Sequence, residues 1–218
     1  MGFSEDQLFA WFAQYAYQPG TVYFLVCALM LASSFGLPFP EEVTLVSLGV
    51  VCYMGSRPDL FPPPFEGAPK VNVTTASIVA FCAVFLSDFL VFSLGKFFGG
   101  KLINKPFLAS QRDRLDKVSS WVRKYGAWAA GIFRFTPGLR FPGHFSCGML
   151  GLQPAKFIAV DGVAALISVP SQVILIAVYG ETILEHIKEA KIVFFGVLAV
   201  VLAVYFIKKK MAGKAKAT

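Results

Sequence analysis

Long apolar stretches alternate along the chain with short polar or proline-rich links. A helix needs about 20 predominantly apolar residues to cross the hydrocarbon core of a bilayer. Stretches of this kind predict about four transmembrane helices, at residues 19–35, 73–98, 155–180 and 190–207. The pattern therefore predicts an all-α integral membrane protein.

Two further apolar stretches, 36–55 and 127–152, are interrupted by prolines and charged side chains. Proline breaks a helix and leaves backbone groups that lipid cannot satisfy, so such a segment must pack within protein or line a polar cavity. We interpret both segments as re-entrant helical hairpins. The residues that break them are Pro38, Pro40, Pro137 and Pro142.

The polar segments predict surface elements. Residues 1–18 are typical of an amphipathic interfacial helix, 56–70 of a proline-rich loop, and 101–125 of a basic helix on the membrane surface. The domain limits that follow are 1–18 for the amphipathic segment, 19–180 for the membrane domain, 181–207 for a C-terminal transmembrane helix and 208–218 for a basic tail.

Composition supports the membrane interpretation, because 56% of the 218 residues are hydrophobic and only 15% are charged. A soluble domain would be roughly 25% charged. The net charge of +7 comes from basic blocks beside apolar stretches, which favours retention on the cytoplasmic side over nucleic-acid binding. No cysteine or histidine spacing predicts a metal site, and we expect no cofactor.

Charge placement predicts the topology. If the basic block at 96–125 is cytoplasmic and 127–152 crossed fully, the lysine tail would lie outside, against the positive-inside rule. A re-entrant 127–152 returns the tail to the cytoplasm. We therefore expect a multi-pass protein of the cell membrane with both termini cytoplasmic.

A short internal repeat suggests that the two broken segments are related. The sequence Gly-Leu-Pro-Phe-Pro at 36–40 recurs as Gly-Leu-Arg-Phe-Pro at 138–142, and Gly49 pairs with Gly151 at the same offset of 102 residues. Two similar hairpins that enter from opposite faces are typical of an inverted-topology repeat.

Arg134 and Arg140 are the most informative residues of the second broken segment. An arginine at membrane depth costs about 2.5–3.5 kcal/mol on insertion scales. Two guanidiniums beside free backbone amides suit a phosphate-bearing headgroup. The alternative is a buried ion-pair network with Glu41, Glu42 or Asp88, and the two interpretations are compatible.

Four other ionisable residues have both structural and functional interpretations. Glu41 and Glu42 either cap the helix that opens at Val43 or titrate. Asp88 either bonds a neighbouring helix or acts in transport, and His144 is either packed or relays protons. We interpret Asp161 as an interfacial cap near the cytoplasmic start of its span. Gly95 and Gly99 predict a close helix contact.

Several of these motifs resemble the DedA family, also called the SNARE-associated or VTT-domain family. The similarity covers residues from about 30 to 180 and rests on three motifs. These are Gly-Leu-Pro-Phe-Pro-Glu-Glu at 36–42, Asp88 with Gly95 and Gly99, and Arg134-Phe-x-Pro-x-x-Arg140.

The resemblance implies opposed re-entrant hairpins that meet near mid-membrane, and a role in lipid translocation. It places functional roles on Glu42, Asp88, Arg134 and Arg140. Many family members carry a further acidic residue before the Pro-x-Pro turn, where this chain has Ser33 and Ser34. Glu41 is the nearby carboxylate that would substitute for it in proton coupling.

We therefore expect a flippase for a lipid with an anionic phosphate headgroup, and specifically for a polyprenyl (undecaprenyl) phosphate carrier. Arg134 and Arg140 would bind the phosphate, while Glu41, Glu42 and Asp88 would release it or couple its movement to protons. The alternatives are an uncoupled phospholipid scramblase and, from another class, a membrane enzyme that acts on lipid phosphates. The expected partners are membrane lipids.

Overall fold

The computed structural model of the chain describes residues 12–34, 41–102, 112–136 and 138–182, and within these ranges it contains helices but no strands. The helices, in chain order, are α1 (Pro19–Ser34), α2 (Glu41–Ser56), α3 (Val73–Leu102), α4 (Arg112–Tyr125), α5 (Trp128–Arg134), α6 (Arg140–Met149) and α7 (Pro154–Val178). All of them lie in one compact unit, Met1–Val178; a second unit, Tyr179–Thr218, is described only as far as Thr182.

Two of these helices are long and apolar enough to cross a membrane. In α3 the apolar part is Val73–Gly99, 27 residues with a mean hydropathy of 2.2, and α7 has 25 residues with a mean hydropathy of 1.8. Large apolar side chains point outward from both, among them Leu86 and Ile167, which are 58% and 64% exposed. Outward apolar faces of this extent suit contact with lipid.

These two helices confirm the predicted helical segments at 73–98 and 155–180. The apolar segment at 19–35 is also helical, although α1 has only 16 residues and spans about 24 Å. The predicted C-terminal helix at 190–207 and the basic tail lie outside the described residues.

Helix α3 packs against α6 at very short distance. A β-carbon on Gly95 would overlap the backbone carbonyl of Phe145, and one on Gly99 would lie 2.7 Å from Cγ of Met149. The close helix contact predicted for these two glycines is therefore confirmed, and the partner helix is α6.

The second broken segment is a helix–turn–helix. Helix α5 ends at Arg134 and α6 begins at Arg140, with Gly138 between them at a φ of 74°, a left-handed conformation that favours glycine. A β-carbon on Gly143 would overlap the ring of Phe133, so the two helices fold back on each other. The helix break predicted within 127–152 is confirmed.

The prolines of this turn fit the break. Pro142 lies in the first turn of α6, where its missing N–H removes no intrahelical hydrogen bond. Pro137 lies outside the described residues, as do Pro38 and Pro40 in the first broken segment.

The described part of the first broken segment is the uninterrupted helix α2. It begins at Glu41, two residues earlier than expected, and both glutamates lie in its first turn, as their capping interpretation requires. The two glycines paired by the 102-residue offset differ in structure: Gly49 lies inside α2 near Ile176, whereas Gly151 lies in a turn with a φ of 74°. This pair therefore gives the repeat no support.

Candidate functional site

Helices α2, α3, α5, α6 and α7 bring six ionisable side chains together. Two are guanidiniums, three are carboxylates and one is an imidazole. They are Arg134, Arg140, Glu41, Asp88, Asp161 and His144. We call this set the charged cluster.

Asp88, from the middle of α3, lies at the centre of the charged cluster and is only 1% exposed. Its Oδ1 accepts a hydrogen bond from Nε of Arg140 at 2.8 Å, and its Oδ2 accepts one from Nη2 of the same guanidinium, also at 2.8 Å. Oδ2 accepts a further hydrogen bond from Nη2 of Arg134. One carboxylate therefore binds both arginines across the α5–α6 turn.

Arg134 binds a second carboxylate, Asp161 of α7. Its Nε donates to Oδ1 of Asp161 at 3.1 Å, and its Nη2 donates to Oδ1 at 2.9 Å and to Oδ2 at 3.1 Å. Asp161 is fully buried. The interpretation of Asp161 as an interfacial cap is therefore wrong: seven residues into α7 it lies about 10 Å from the helix start and pairs with a buried guanidinium.

Arg140 has a second partner too, because its Nη1 pairs with Oε2 of Glu41. The two side chains are 19% and 13% exposed, whereas those of Arg134, Asp88 and Asp161 are 4% exposed or less. The Arg140–Glu41 pair is therefore the most accessible part of the charged cluster. Glu42, the neighbouring residue, is exposed.

His144 lies between the two aspartates. Its Nδ1 is 3.2 Å from Oδ1 of Asp88, and its Nε2 is 3.4 Å from Oδ1 of Asp161 and 3.4 Å from the carbonyl oxygen of Ala130. The ring is fully buried and meets Phe157 edge-on, with 5.2 Å between ring centroids. This geometry confirms a packed histidine and leaves its relay role a prediction.

Apolar side chains enclose this arrangement on one side. Buried rings of Phe92, Phe133 and Phe157 pack with Trp121 into a core that joins α3, α4, α5 and α7. Burying a charge in such surroundings is unfavourable unless the charge is paired. The pairs within the charged cluster therefore account for its burial.

Three possible metal ligands also lie close together in the charged cluster. One oxygen or nitrogen atom from each of Asp88, His144 and Asp161 lies within 4.8 Å of the others, a separation that a metal ion can bridge. Both carboxylates already accept from guanidiniums. A cation at this point would face two positive charges at contact distance. The donor set fits an arginine-binding role better than a metal centre.

The charged cluster brings together five residues named by sequence reasoning: Arg134, Arg140, Asp88, Glu41 and His144. Sequence reasoning missed Asp161 as a site residue. The available signal was its depth, because an ionisable residue two turns inside an apolar span is expected to have a buried partner.

Comparisons with known proteins identify relatives for most of the chain. A sequence model described as the VTT domain matches residues 39–180. The chain is 30% identical over 153 residues to an uncharacterized membrane protein of Haemophilus influenzae, a match that covers 68% of this chain and 66% of the relative.

Two further relatives are also named as membrane proteins. An inner membrane protein of Borreliella burgdorferi is 30% identical over 134 residues, which are 59% of this chain and 64% of that protein. An uncharacterized membrane protein of Bacillus subtilis is 23% identical over 132 residues, which are 60% of this chain and 71% of that protein. The matched part of the chain thus spans slightly less than two thirds of the length of the first two relatives. No solved structure matches the chain.

Proposed function

The chain belongs to the VTT-domain (DedA) family of membrane proteins, and we propose that it is a flippase for a lipid with an anionic phosphate headgroup. The lipid class that we propose is a polyprenyl phosphate such as undecaprenyl phosphate. One observation carries the proposal. Two arginines flank a break between helices inside an apolar domain. Each arginine is bound by carboxylates, and a phosphate can take the place of a carboxylate.

Guanidinium chemistry supports the choice of headgroup. A guanidinium presents parallel N–H donors that bind carboxylate and phosphate oxygens in the same two-point geometry. Arg140 already binds Asp88 in this way, through Nε and Nη2. Its Nη1 contacts Glu41, so a phosphate oxygen can take the place of Glu41 while Asp88 continues to hold the guanidinium.

The charge balance supports a role for protons. The charged cluster contains three carboxylates, of Glu41, Asp88 and Asp161, against two guanidiniums. With His144 neutral it carries one excess negative charge, and a single proton on His144 or on a carboxyl neutralises it. Exchange of Glu41 for a lipid phosphate would keep one anion on Arg140, and protonation of the displaced Glu41 would couple lipid movement to protons.

Leaflet exchange in proteoliposomes tests the proposal. The purified protein is reconstituted with a labelled polyprenyl phosphate in one sample and a labelled zwitterionic phospholipid in another. We expect faster exchange of the polyprenyl phosphate than of the phospholipid. We also expect this exchange to fall to the protein-free rate in Arg134→Ala and Arg140→Ala, because both guanidiniums lie in the charged cluster.

Four contrary outcomes are distinct. Unchanged exchange in both arginine variants excludes the headgroup role. Equal exchange rates of the two lipids favour a scramblase. If the exchange rate does not respond to an imposed pH gradient, lipid movement is facilitated but is not coupled to protons. Release of inorganic phosphate from the lipid favours an enzyme.

A further inference from the structure

A second feature of the fold suggests where the rest of the lipid lies. We propose that an apolar cavity between α1 and α2 binds the part of the hydrocarbon chain nearest the headgroup, in the lipid whose phosphate displaces Glu41 from Arg140. This inference rests on the proposed function and extends it from the headgroup to the chain. It assigns a binding site to residues outside the charged cluster.

The cavity has a volume of about 300 Å³. Leu25 and Leu29 belong to its α1 wall, and Val43, Leu48 and Val51 belong to its α2 wall. Ligand pockets for small molecules are about 300–1,000 Å³, so this cavity is at the small end of that range. Its size and apolar lining suit a slender hydrocarbon chain rather than a bulky polar ligand.

The α2 wall is continuous with the charged cluster. Thr44, Leu48 and Val51 line the cavity, and Glu41 precedes them with helical spacings of three, four and three residues. Residues at this spacing lie along one face of a helix. Ten residues of helix extend about 15 Å. One face of α2 therefore carries Glu41, the partner of Arg140, at its first turn and the wall of the cavity over the following turns.

The cavity opens towards apolar surroundings. Leu25 and Val43 line it and are nevertheless 44% and 59% exposed. Phe24, the neighbour of Leu25 in α1, is 71% exposed. Apolar side chains at the opening favour entry from membrane hydrocarbon rather than from water. Arg140 supplies the complementary charge for an anionic headgroup at the Glu41 end.

Photolabelling in proteoliposomes tests the site. The probe is a long-chain alkyl phosphate with a diazirine in mid-chain, and the matched probe has the same chain with an uncharged diol headgroup. Labelled residues are mapped by mass spectrometry. We expect the phosphate probe to label the α1 and α2 walls about tenfold more than the diol, and excess unlabelled alkyl phosphate to abolish this labelling. Tenfold corresponds to about 1.4 kcal/mol of binding free energy.

A blocked variant gives a second measurement. Ser47 lines the cavity, and Ser47→Trp would fill it with an indole ring and remove the competable labelling. The matched control is Ile167→Trp on the outward face of α7, where the side chain is 64% exposed; its labelling should equal that of the unmodified protein. The mapping on the unmodified protein decides the question even if Ser47→Trp does not fold.

The contrary results separate the two proposals. Competable labelling on the outward faces of α3 or α7, without labelling of the α1 and α2 walls, excludes the cavity and leaves the headgroup role intact. Equal labelling by the diol probe also excludes the cavity as part of the phosphate site. No competable labelling anywhere excludes both proposals.

Discussion

At the scale of single residues, the two aspartates of the charged cluster have unequal roles. Asp88 accepts hydrogen bonds from both arginines of the charged cluster, whereas Asp161 accepts hydrogen bonds from one of the two, Arg134. Removal of one partner from a buried ion pair costs about 3–5 kcal/mol when the other charge is left uncompensated. The lower end of this range applies to Asp161→Asn, because Arg134 keeps Asp88 as a partner. We expect Asp161→Asn to lower the free energy of unfolding by about 3 kcal/mol and Asp88→Asn by more, with unfolding measured in mild detergent.

The matched control is Asp59→Asn in the exposed loop between α2 and α3. A surface substitution of this kind changes stability by about 0.5 kcal/mol or less. If Asp161→Asn were as stable as Asp59→Asn, the pairing of Asp161 with Arg134 would not contribute to stability.

Glu41 and Glu42 permit a sharper comparison, because only one of them pairs with Arg140 in the structure. Glu41→Gln removes the anion that pairs with Arg140 and that, in the proposed function, competes with phosphate for this guanidinium. We expect tighter binding of the lipid phosphate and slower exchange at saturation. A coupling of 1–3 kcal/mol between the two anions predicts about 5- to 150-fold tighter binding.

The readouts are the apparent affinity and the maximal exchange rate in proteoliposomes, with Glu42→Gln as the paired variant. Glu42 is exposed, so we expect its variant to differ little from the unmodified protein. A larger effect of Glu42→Gln than of Glu41→Gln would assign the titrating role to Glu42, as the family resemblance implies.

Residues of the candidate site were predictable from the sequence where a charged side chain interrupts an apolar stretch, as at Asp88, Arg134 and Arg140. Which of two adjacent glutamates faces Arg140 was not predictable. Polar and apolar periodicity fixes the rotation of a helix about its axis, but apolar residues surround α2 and α7 on every face. Periodicity likewise does not assign Asp161 to the inner face of α7, and the depth of Asp161 within its span is the signal that does.

At the scale of elements, the contact of α3 with α6 holds the charged cluster together. Asp88 comes from α3 and Arg140 from α6, and the glycines let the two helix backbones approach each other. Gly95→Ala would place a methyl group against the Phe145 carbonyl. Overpacking of this kind typically costs about 1–3 kcal/mol, and we expect the upper end because the obstacle is backbone. Thermal unfolding in detergent measures the loss.

The matched control for that variant is Gly20→Ala in the first turn of α1. No atom lies within 4 Å of a β-carbon built on Gly20. Alanine is the better helix former by about 1 kcal/mol, so we expect unchanged or slightly higher stability. Equal losses in the two variants would mean that the loss does not arise from the α3–α6 contact.

Helix positions followed from the sequence because each apolar stretch is bounded by proline, glycine or charge. Helix α7, for example, starts at Pro154, one residue before the predicted span. The partner of the Gly95–Gly99 face was not predictable, since a pair of small residues permits close approach to any helix. The Gly49–Gly151 match shows that an internal sequence repeat does not by itself predict equal structure. Gly49 lies inside a helix, whereas Gly151, 102 residues later, lies in a turn.

At the scale of the whole molecule, the segment 127–152 must either cross the membrane or return to the face that it left. Arg123 precedes this segment and Lys156 follows it, and both are exposed and line one cavity of about 400 Å³. Leu150, Gly151 and Leu152 also line this cavity. Two charged side chains at one opening belong on one face of a bilayer, because a crossing would separate them by about 30 Å of hydrocarbon.

This proximity supports the re-entrant topology independently of the positive-inside argument, and cysteine accessibility tests it. In a variant without Cys27, Cys52, Cys82 and Cys147, single cysteines are placed by Arg123→Cys, Lys156→Cys and Asp59→Cys. We expect a membrane-impermeant maleimide to label position 59 in intact cells and positions 123 and 156 only after permeabilisation. Labelling of 123 and 156 from opposite sides would make 127–152 a full crossing and put the basic tail outside. The two arginines would then flank a break within a membrane crossing instead of lying at the tip of a re-entrant hairpin.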